Sequence, residues 1–270
     1  MDWIQQFLDE DIRSGDITTR MLVPDIDGKA VITCEDDAIV AGLEEAIDVF
    51  SRMDAIAEKK VKDGTRVKPG TVVMEIDGPL RSITTCERVA LNMMMRMSGI
   101  ATATDDATRI CRVKGSTAVI AGTRKTTPGF RRFEKKAIVL GGGDPHRYGL
   151  DDLILIKDNH IKAAGGVAEA MEIAMEAPFS MKIEIEVENK KDAEIAAKCG
   201  ADIIMIDNQS PETTVEIRDI VKSIDGSIKV EASGNITLDS LGDYANSADI
   251  ISMGCLTHSV KSVRFSLDIE

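Results

Sequence analysis

The chain is poor in several residue types whose scarcity narrows what it can be. Its 270 residues include one tryptophan, two tyrosines, three histidines and five cysteines. Cys34, Cys86, Cys111, Cys199 and Cys255 are odd in number, widely spaced and free of any Cys-x-x-Cys pair. That argues against a disulfide framework and a zinc site and leaves them as small buried hydrophobes. No apolar run approaches the roughly 18 residues a membrane span needs. The opening MDWIQQFLDEDIRSGD is too acidic for a signal peptide, so a cytoplasmic protein with no membrane partner is expected. Basic charge is in deficit too: 33 Lys and Arg stand against 46 Asp and Glu, a net charge of −13. A duplex binder spreads basic charge over a face and raises its pI, so nucleic acid is not the expected partner.

What is present is an ordinary globular composition, 43% hydrophobic and 29% charged, long enough for one large domain or two unequal ones. Within it, one stretch reverses sign. GTRKTTPGFRRFEKKAIVLGGGDPHRYGL, from Gly122 to Leu150, gathers Arg124, Lys125, Arg131, Arg132, Lys135 and Lys136 against the single acid Glu134. A cleft of one sign in a surface of the other focuses field on a small anion. The pattern predicts a helix capped by Thr127, with Pro128 as its first residue and Phe130, Phe133, Ala137 and Leu140 on one face, stopped by Gly141 to Gly143. Arg131, Arg132, Lys135 and Lys136 are then the solvated side of that helix. Arg124, Lys125, His146 and Arg147 fall on the flanking loops, where function concentrates.

From the start, a short helix and a polar turn around Ser14, Gly15 and Asp16 are expected, then short strands with period two from Lys29 to Pro79. A helix from Leu43 to Met53 interrupts them, giving a small α+β domain. VKDGTRVKPGTVVMEIDG is similar to the hairpins of biotin- and lipoate-bearing modules, without their modified lysine. Arg81 to about Arg112 forms a long amphipathic helix or helix pair, whose Met93, Met94, Met95 and Met97 suit a core or a subunit interface. After Lys114 apolar strands at Thr117–Ala121, Leu153–Ile156, Ile183–Val187, Ile203–Ile206, Ile228–Val230 and Ile250–Met253 alternate with helices, the rhythm of a parallel sheet or barrel. Charged residues and glycines follow each strand. In a parallel barrel that rim is where active sites are built, and its last two loops often bind phosphate.

GTRKTTPGFR, GGGDPHRYGL, LIKDNHI, EIEVEN, ADIIMIDN, EASGNI and GCLTHS, together with EDIRSGDIT and ERVALNMMMRMSGIAT, occur in an order and spacing that resembles the quinolinate phosphoribosyltransferase family. The resemblance covers essentially the whole chain. It implies an α/β protein with an N-terminal α/β sandwich domain (1–105) and a C-terminal incomplete, seven-stranded type of α/β barrel (106–270), whose extreme C-terminus packs back on the first. It also implies the reaction of quinolinate with phosphoribosyl pyrophosphate and Mg²⁺ to give nicotinate mononucleotide, pyrophosphate and carbon dioxide, in NAD biosynthesis. A homodimer, or a trimer of dimers, comes with it.

The same resemblance places quinolinate against Arg124, His146, Arg147 and Lys157, with Arg88 supplied by a neighbouring subunit. A dicarboxylate calls for such planar forks and point cations. Thr123 lies beside them, Lys125 serves the pyrophosphate, and Glu186 and Asp207 meet the ribose and Mg²⁺, a cation that prefers oxygen ligands. Lys125, Lys157, Glu186 and Asp207 form the implied catalytic set. Ser233, Gly234, Asn235, Met253, Gly254 and Cys255 cradle the 5′-phosphate, with His258 close by. Two positions depart from the family pattern: Pro145 replaces the usual Asn, and Asn235 replaces a Gly. Asn tolerates a left-handed backbone next best after Gly. A Schiff-base role for Lys157 is disfavoured by Asp158 beside it and by the lack of a second nearby lysine on its strand. Two rival functions are a molybdenum-transport-associated paralogue and a non-catalytic phosphate-binding module; LIKDNHI and the Glu186/Asp207 pair count against the first.

Overall fold

Alternation in the segment KAVITC turns Ala30, Ile32 and Cys34 to one side of a strand, and all three are buried. In the computed structural model, which describes residues 2–270, this strand is β1 (Asp27–Cys34). It follows helices α1 (Trp3–Ile12) and α2 (Ile17–Leu22), whose starts are fixed by Asp2 and Asp16 accepting backbone N–H groups three residues on. Then come β2 (Ala38–Ile39), α3 (Leu43–Ser51), β3 (Ile56–Lys59), β4 (Arg66–Val67), β5 (Thr71–Pro79) and helix α4 (Leu80–Val113). β1 pairs antiparallel with β5, and β5 with β3; on its other edge β1 pairs antiparallel with the C-terminal strand Phe265–Ile269. β2 and β4 form a separate two-stranded ribbon.

The chain divides into two compact units. The first holds residues 2–105, 127–142 and 260–270; the second holds 106–126 and 143–259. Helix α5 (Arg131–Leu140) and the C-terminal strand belong to the first unit. Packing gives the reason. Phe133, Ala137 and Ile138 of α5 join a core that includes Ile32, Phe50, Met74 and Met94, and Phe7, Phe130 and Phe133 form a tilted triad with ring centroids 4.8 to 5.9 Å apart.

Two open alternatives are decided here and two expectations are corrected. α4 is one continuous helix of 34 residues, not a pair. Met93, Met94 and Met97 are 3%, 0% and 0% exposed and the half-buried Met95 packs against them, so the methionine cluster belongs to the core. The helix of the basic stretch starts at Arg131, with Phe130 as its cap residue, instead of behind Thr127. Gly129 takes φ +81°, which breaks helical continuity, and both the Thr127 N–H and hydroxyl donate to Glu134, at 3.1 and 3.0 Å. Glu134 is itself buried and paired with Arg96 at 2.8 Å. Lys135 is fully buried, so only part of the basic row is a solvated face; Lys136 reaches Glu45 at 2.8 Å.

In the second unit six parallel strands, β6 (Val119–Ala121), β7 (Ile154–Ile156), β8 (Ile183–Val187), β9 (Ile203–Asp207), β10 (Lys229–Ser233) and β11 (Ile250–Ser252), lie in the spatial order β6-β11-β10-β9-β8-β7. Asp144 bridges Ala121 in parallel beside the β6 edge, a stub of one more strand. Along the strands, alternate residues go to different places. Ile185, Ile204, Ile206 and Val230 pack outward against helices such as Lys190–Lys198 and Pro211–Ile224, in a core with Ala193, Ala197, Ile217 and Val221. Their neighbours Glu186, Met205, Asp207, Glu231 and Ser233 point the other way and line a cleft at the carboxyl ends of the strands. No described helix is long and apolar enough to cross a membrane.

Candidate active site

The cleft holds about 470 Å³ and is built wholly within the second unit. A larger hollow of about 840 Å³ opens near the amino-terminal ends of the strands, at Val119, Ile203, Lys229 and Ile250. The smaller one is the better site, because strand carboxyl ends bring chemically useful side chains together. The strands contribute residues at or near their carboxyl ends or in the loops after them. β6 leads to Thr123, Arg124 and Lys125; Lys157 directly follows β7; β8 supplies Glu186, β9 Asp207, and β10 Ser233 with Gly234 and Asn235. His146 and Arg147 enter from the loop after the Asp144 bridge.

These are eleven of the positions that the resemblance implied, and the fold brings all eleven to one wall or another of the cleft. Four others lie just behind it. Gly254 faces the Lys125 stem, where an added Cβ would sit 3.0 Å from Cδ, and Met253 is fully buried. The Cys255 thiol donates to the Ile236 carbonyl at 3.3 Å, and His258 Nδ1 lies 2.6 Å from the Ser259 hydroxyl. The Thr257 hydroxyl donates to the Lys125 carbonyl at 2.7 Å, so this segment fixes the backbone that carries Lys125. Arg88 belongs to the first unit, exposed on α4 beside Glu87.

Charge is arranged in opposed groups. Lys157 Nζ is 2.6 Å from Glu186 Oε2. Burial, and after it the nearby Arg124 guanidinium, lower the Arg147 pKa. Two guanidinium groups held close together inside a cleft favour an anion between them, and the buried Arg124 Nε has no hydrogen-bond partner. The Ser252 hydroxyl, buried at the end of β11, is unpartnered as well.

The loops are held in unusual backbone conformations. His146, Asn208 and Asn235 have φ of +54°, +53° and +52°, the left-handed region that non-glycine residues seldom enter and that clusters at functional sites. Asn235 thus takes the conformation expected of the glycine it replaces. Gly234, at φ +101°, lies so close to Asn208 that a Cβ would come within 2.4 Å of its Oδ1. Asn208 ties the two loops together, its Oδ1 accepting from Asn235 Nδ2 at 3.0 Å and its Nδ2 donating to Asp207 Oδ2 at 2.6 Å.

Two residues were not among the expected site residues. Glu184 and Glu231 are fully buried and face inward below Glu186 and Ser233. His146 Nε2 lies 3.2 Å from Glu231 Oε2 and 3.5 Å from Glu184 Oε2. Burial, then the charge of Glu231, push Glu184 up to about 8, so it keeps its proton at neutral pH. A signal was present in EIEVEN and KVEASG: strand period two puts Glu184 with Glu186, and Glu231 with Ser233, on the same inward side.

The comparisons agree along the whole chain. A family model described as the quinolinate phosphoribosyl transferase N-terminal domain matches residues 16–98, and one described as the C-terminal domain matches residues 100–268. A probable nicotinate-nucleotide pyrophosphorylase (carboxylating) of Archaeoglobus fulgidus is 41% identical over 258 residues, 94% of this chain and 98% of that protein. The human nicotinate-nucleotide pyrophosphorylase (carboxylating) is 39% identical over 243 residues, covering 89% of this chain and 82% of its own. Among solved structures, NadC from Streptococcus pyogenes superposes with a TM-score of 0.93 at 38% identity, covering 100% of this chain and 95% of that one. The nicotinate-nucleotide pyrophosphorylase of Francisella tularensis gives 0.92 at 36% identity, with coverage of 99% and 94%. On its sequence, its two units and its strand order, the chain belongs to the quinolinate phosphoribosyltransferase family.

Proposed function

We infer that this chain joins quinolinate to phosphoribosyl pyrophosphate and releases pyrophosphate and carbon dioxide, forming nicotinate mononucleotide in pyridine nucleotide biosynthesis. The observation that carries the assignment of substrate to site is the pairing of Arg124 and Arg147 in the cleft. Arg124 is half-buried with a buried, unpartnered Nε, and Arg147 has its charge raised in cost by burial and by its neighbour. A dicarboxylate relieves both at once, and Lys157 beside them provides a point cation.

The chemistry follows from where charge appears. As pyrophosphate leaves, positive charge grows on the ribose ring, and Glu186 and Asp207 stabilise it. Lys125 takes negative charge on the leaving group. The quinolinate ring nitrogen forms the new bond to the ribose carbon, becoming a pyridinium. That cation accepts the electron pair released when the adjacent carboxylate departs as carbon dioxide, and a proton takes the vacated ring position. The protein supplies orientation and exclusion of water; no covalent nucleophile is needed. Ser233, Gly234 and Asn235 turn backbone toward the 5′-phosphate, and Met253, Gly254, Cys255 and His258 support that cradle through the Lys125 loop.

Glu186 and Asp207 also suit Mg²⁺: two carboxylates at adjacent strand ends offer hard oxygen donors in a cleft with room for substrate oxygens. Bound there, the ion would neutralise charge on the pyrophosphate. Asp207→Asn is expected to weaken the Mg²⁺ dependence of the rate, and a normal titration in that variant removes Asp207 from the role. The active unit in this reading is a dimer in which Arg88 of the partner subunit completes each site. The direct test is formation of nicotinate mononucleotide and pyrophosphate from the two substrates; no product from folded protein ends the assignment.

A further inference from the structure

The imidazole of His146 is held from both sides. Its Nδ1 accepts the backbone N–H of Arg147 at 2.8 Å, and its Nε2 faces Glu231 Oε2 at 3.2 Å. A ring nitrogen that accepts a hydrogen bond carries no proton, so the ring proton sits on Nε2 and points at Glu231. His146 is then a neutral imidazole with its proton turned away from the substrate, and it is no point cation for quinolinate. The residue itself adopts φ +54°, with its own N–H donating to Asp144 Oδ1 at 2.6 Å. A left-handed histidine persists when its surroundings over-determine it, and here three hydrogen bonds do so.

We propose that Glu231 is a positioning residue for dicarboxylate binding: by accepting from His146 Nε2–H it fixes the tautomer whose Nδ1 holds the Arg147 backbone, and so sets how the Arg147 guanidinium enters the cleft. In this role Glu231 acts on quinolinate through these two residues, although it also lines the cleft wall. Its carboxylate is fully buried, which keeps water from competing for the His146 proton. The inference rests on the reading of Arg147 as a quinolinate ligand.

Two measurements test it. The protein has only three histidines, so ¹⁵N-histidine labelling, with His160 and His258 replaced for assignment, resolves His146. An unprotonated Nδ1 and a protonated Nε2 in the free protein are expected. Two protonated nitrogens, or a proton on Nδ1 with Nε2 bare as a cation at this cluster would require, overturn the proposal, and this result does not depend on any variant folding. Kinetically, Glu231→Ala should raise the quinolinate KM at least tenfold, leave the phosphoribosyl pyrophosphate KM within about twofold, and change kcat less than the quinolinate KM. Glu231→Gln, which keeps an acceptor, should recover most of that loss. Equal damage to both KM values, or a Gln variant as poor as Ala, marks a merely structural role and overturns it. If Arg147→Ala leaves quinolinate kinetics unchanged, the substrate assignment fails instead, whatever the tautomer of His146.

Discussion

Lys157 Nζ and Glu186 Oε2 lie 2.6 Å apart, so a residue assigned to quinolinate is bound to one assigned to the ribose and metal. Strand pairing makes them neighbours: Ile156 is in register with Ile185, and each strand turns its next residue into the cleft. Either substrate must exchange this ion pair for contacts of its own. Lys157→Ala removes a charged partner of a substrate carboxylate in a desolvated cleft, which costs about 2–5 kcal/mol. The quinolinate KM should rise at least tenfold while phosphoribosyl pyrophosphate still binds. Steady-state kinetics with each substrate varied in turn check this, and unchanged quinolinate kinetics would remove Lys157 from the site.

Gly234→Ala addresses the phosphate loop. At φ +101° a side chain is strained, and its Cβ would press on both Asn208 Oδ1 and the Asn208 backbone N, at 2.4 and 2.6 Å. Strain of this kind is on the order of 1–3 kcal/mol. The loop should shift, raising the phosphoribosyl pyrophosphate KM about tenfold or more with an unchanged far-UV circular dichroism spectrum. A variant with wild-type kinetics would show that the close approach of these two loops is not needed.

Much of this site was legible in the sequence because strand alternation decides it. Once six strands are placed in parallel, their carboxyl ends must share one rim, and Lys157, Glu186, Asp207 and Ser233 follow directly. Glu184 and Glu231 obey the same rule, but a carboxylate deep in a parallel strand runs against the apolar pattern. The start of α5 was misplaced for a different reason. Thr127 and Pro128 have the right local chemistry for a helix start, but Glu134, a long-range partner of Arg96, claims both polar groups of Thr127. Lys135 shows the same limit, for no local pattern tells which residue of a basic row is turned into a core.

A pH effect is expected at Asp36. Its carboxylate lies 2.6 Å from the Arg264 guanidinium and accepts the Arg264 backbone N–H at 2.8 Å. The side-chain bond first, and the backbone bond second, hold its pKa below the ordinary 3.8. Because the folded value is depressed, the stabilisation is present above the unfolded pKa and is lost as pH falls through the folded value. Asp36→Asn should lower stability at pH 7 by about 0.5–1 kcal/mol, as befits a partly exposed pair. The difference between variant and wild type in thermal melts should shrink toward zero in strong acid; a difference that is constant with pH contradicts this account.

Arg88 offers a test of the shared site. Its guanidinium is exposed on α4, 3.4 Å from Glu87. At a quinolinate concentration where Arg88→Ala and Lys157→Ala chains each turn over negligibly, mixing them should restore about a quarter of wild-type activity if subunits exchange at random, because half the dimers are mixed and each carries one intact site. A mixture that stays inactive, with exchange shown independently by mass spectrometry, places Arg88 outside the partner's site.

The pairing of β1 with the strand Phe265–Ile269 has a consequence for how the protein is made. The ribosome delivers that strand only after every strand of the second unit. Until then one long edge of β1 stays open, with its backbone N–H and C=O groups free to find other chains. The first unit is therefore begun first and finished last, and a nascent chain spends most of its synthesis with that edge uncovered. A stall or truncation upstream of Phe265 would leave the second unit with all its strands and the first unit with an unsealed, aggregation-prone sheet.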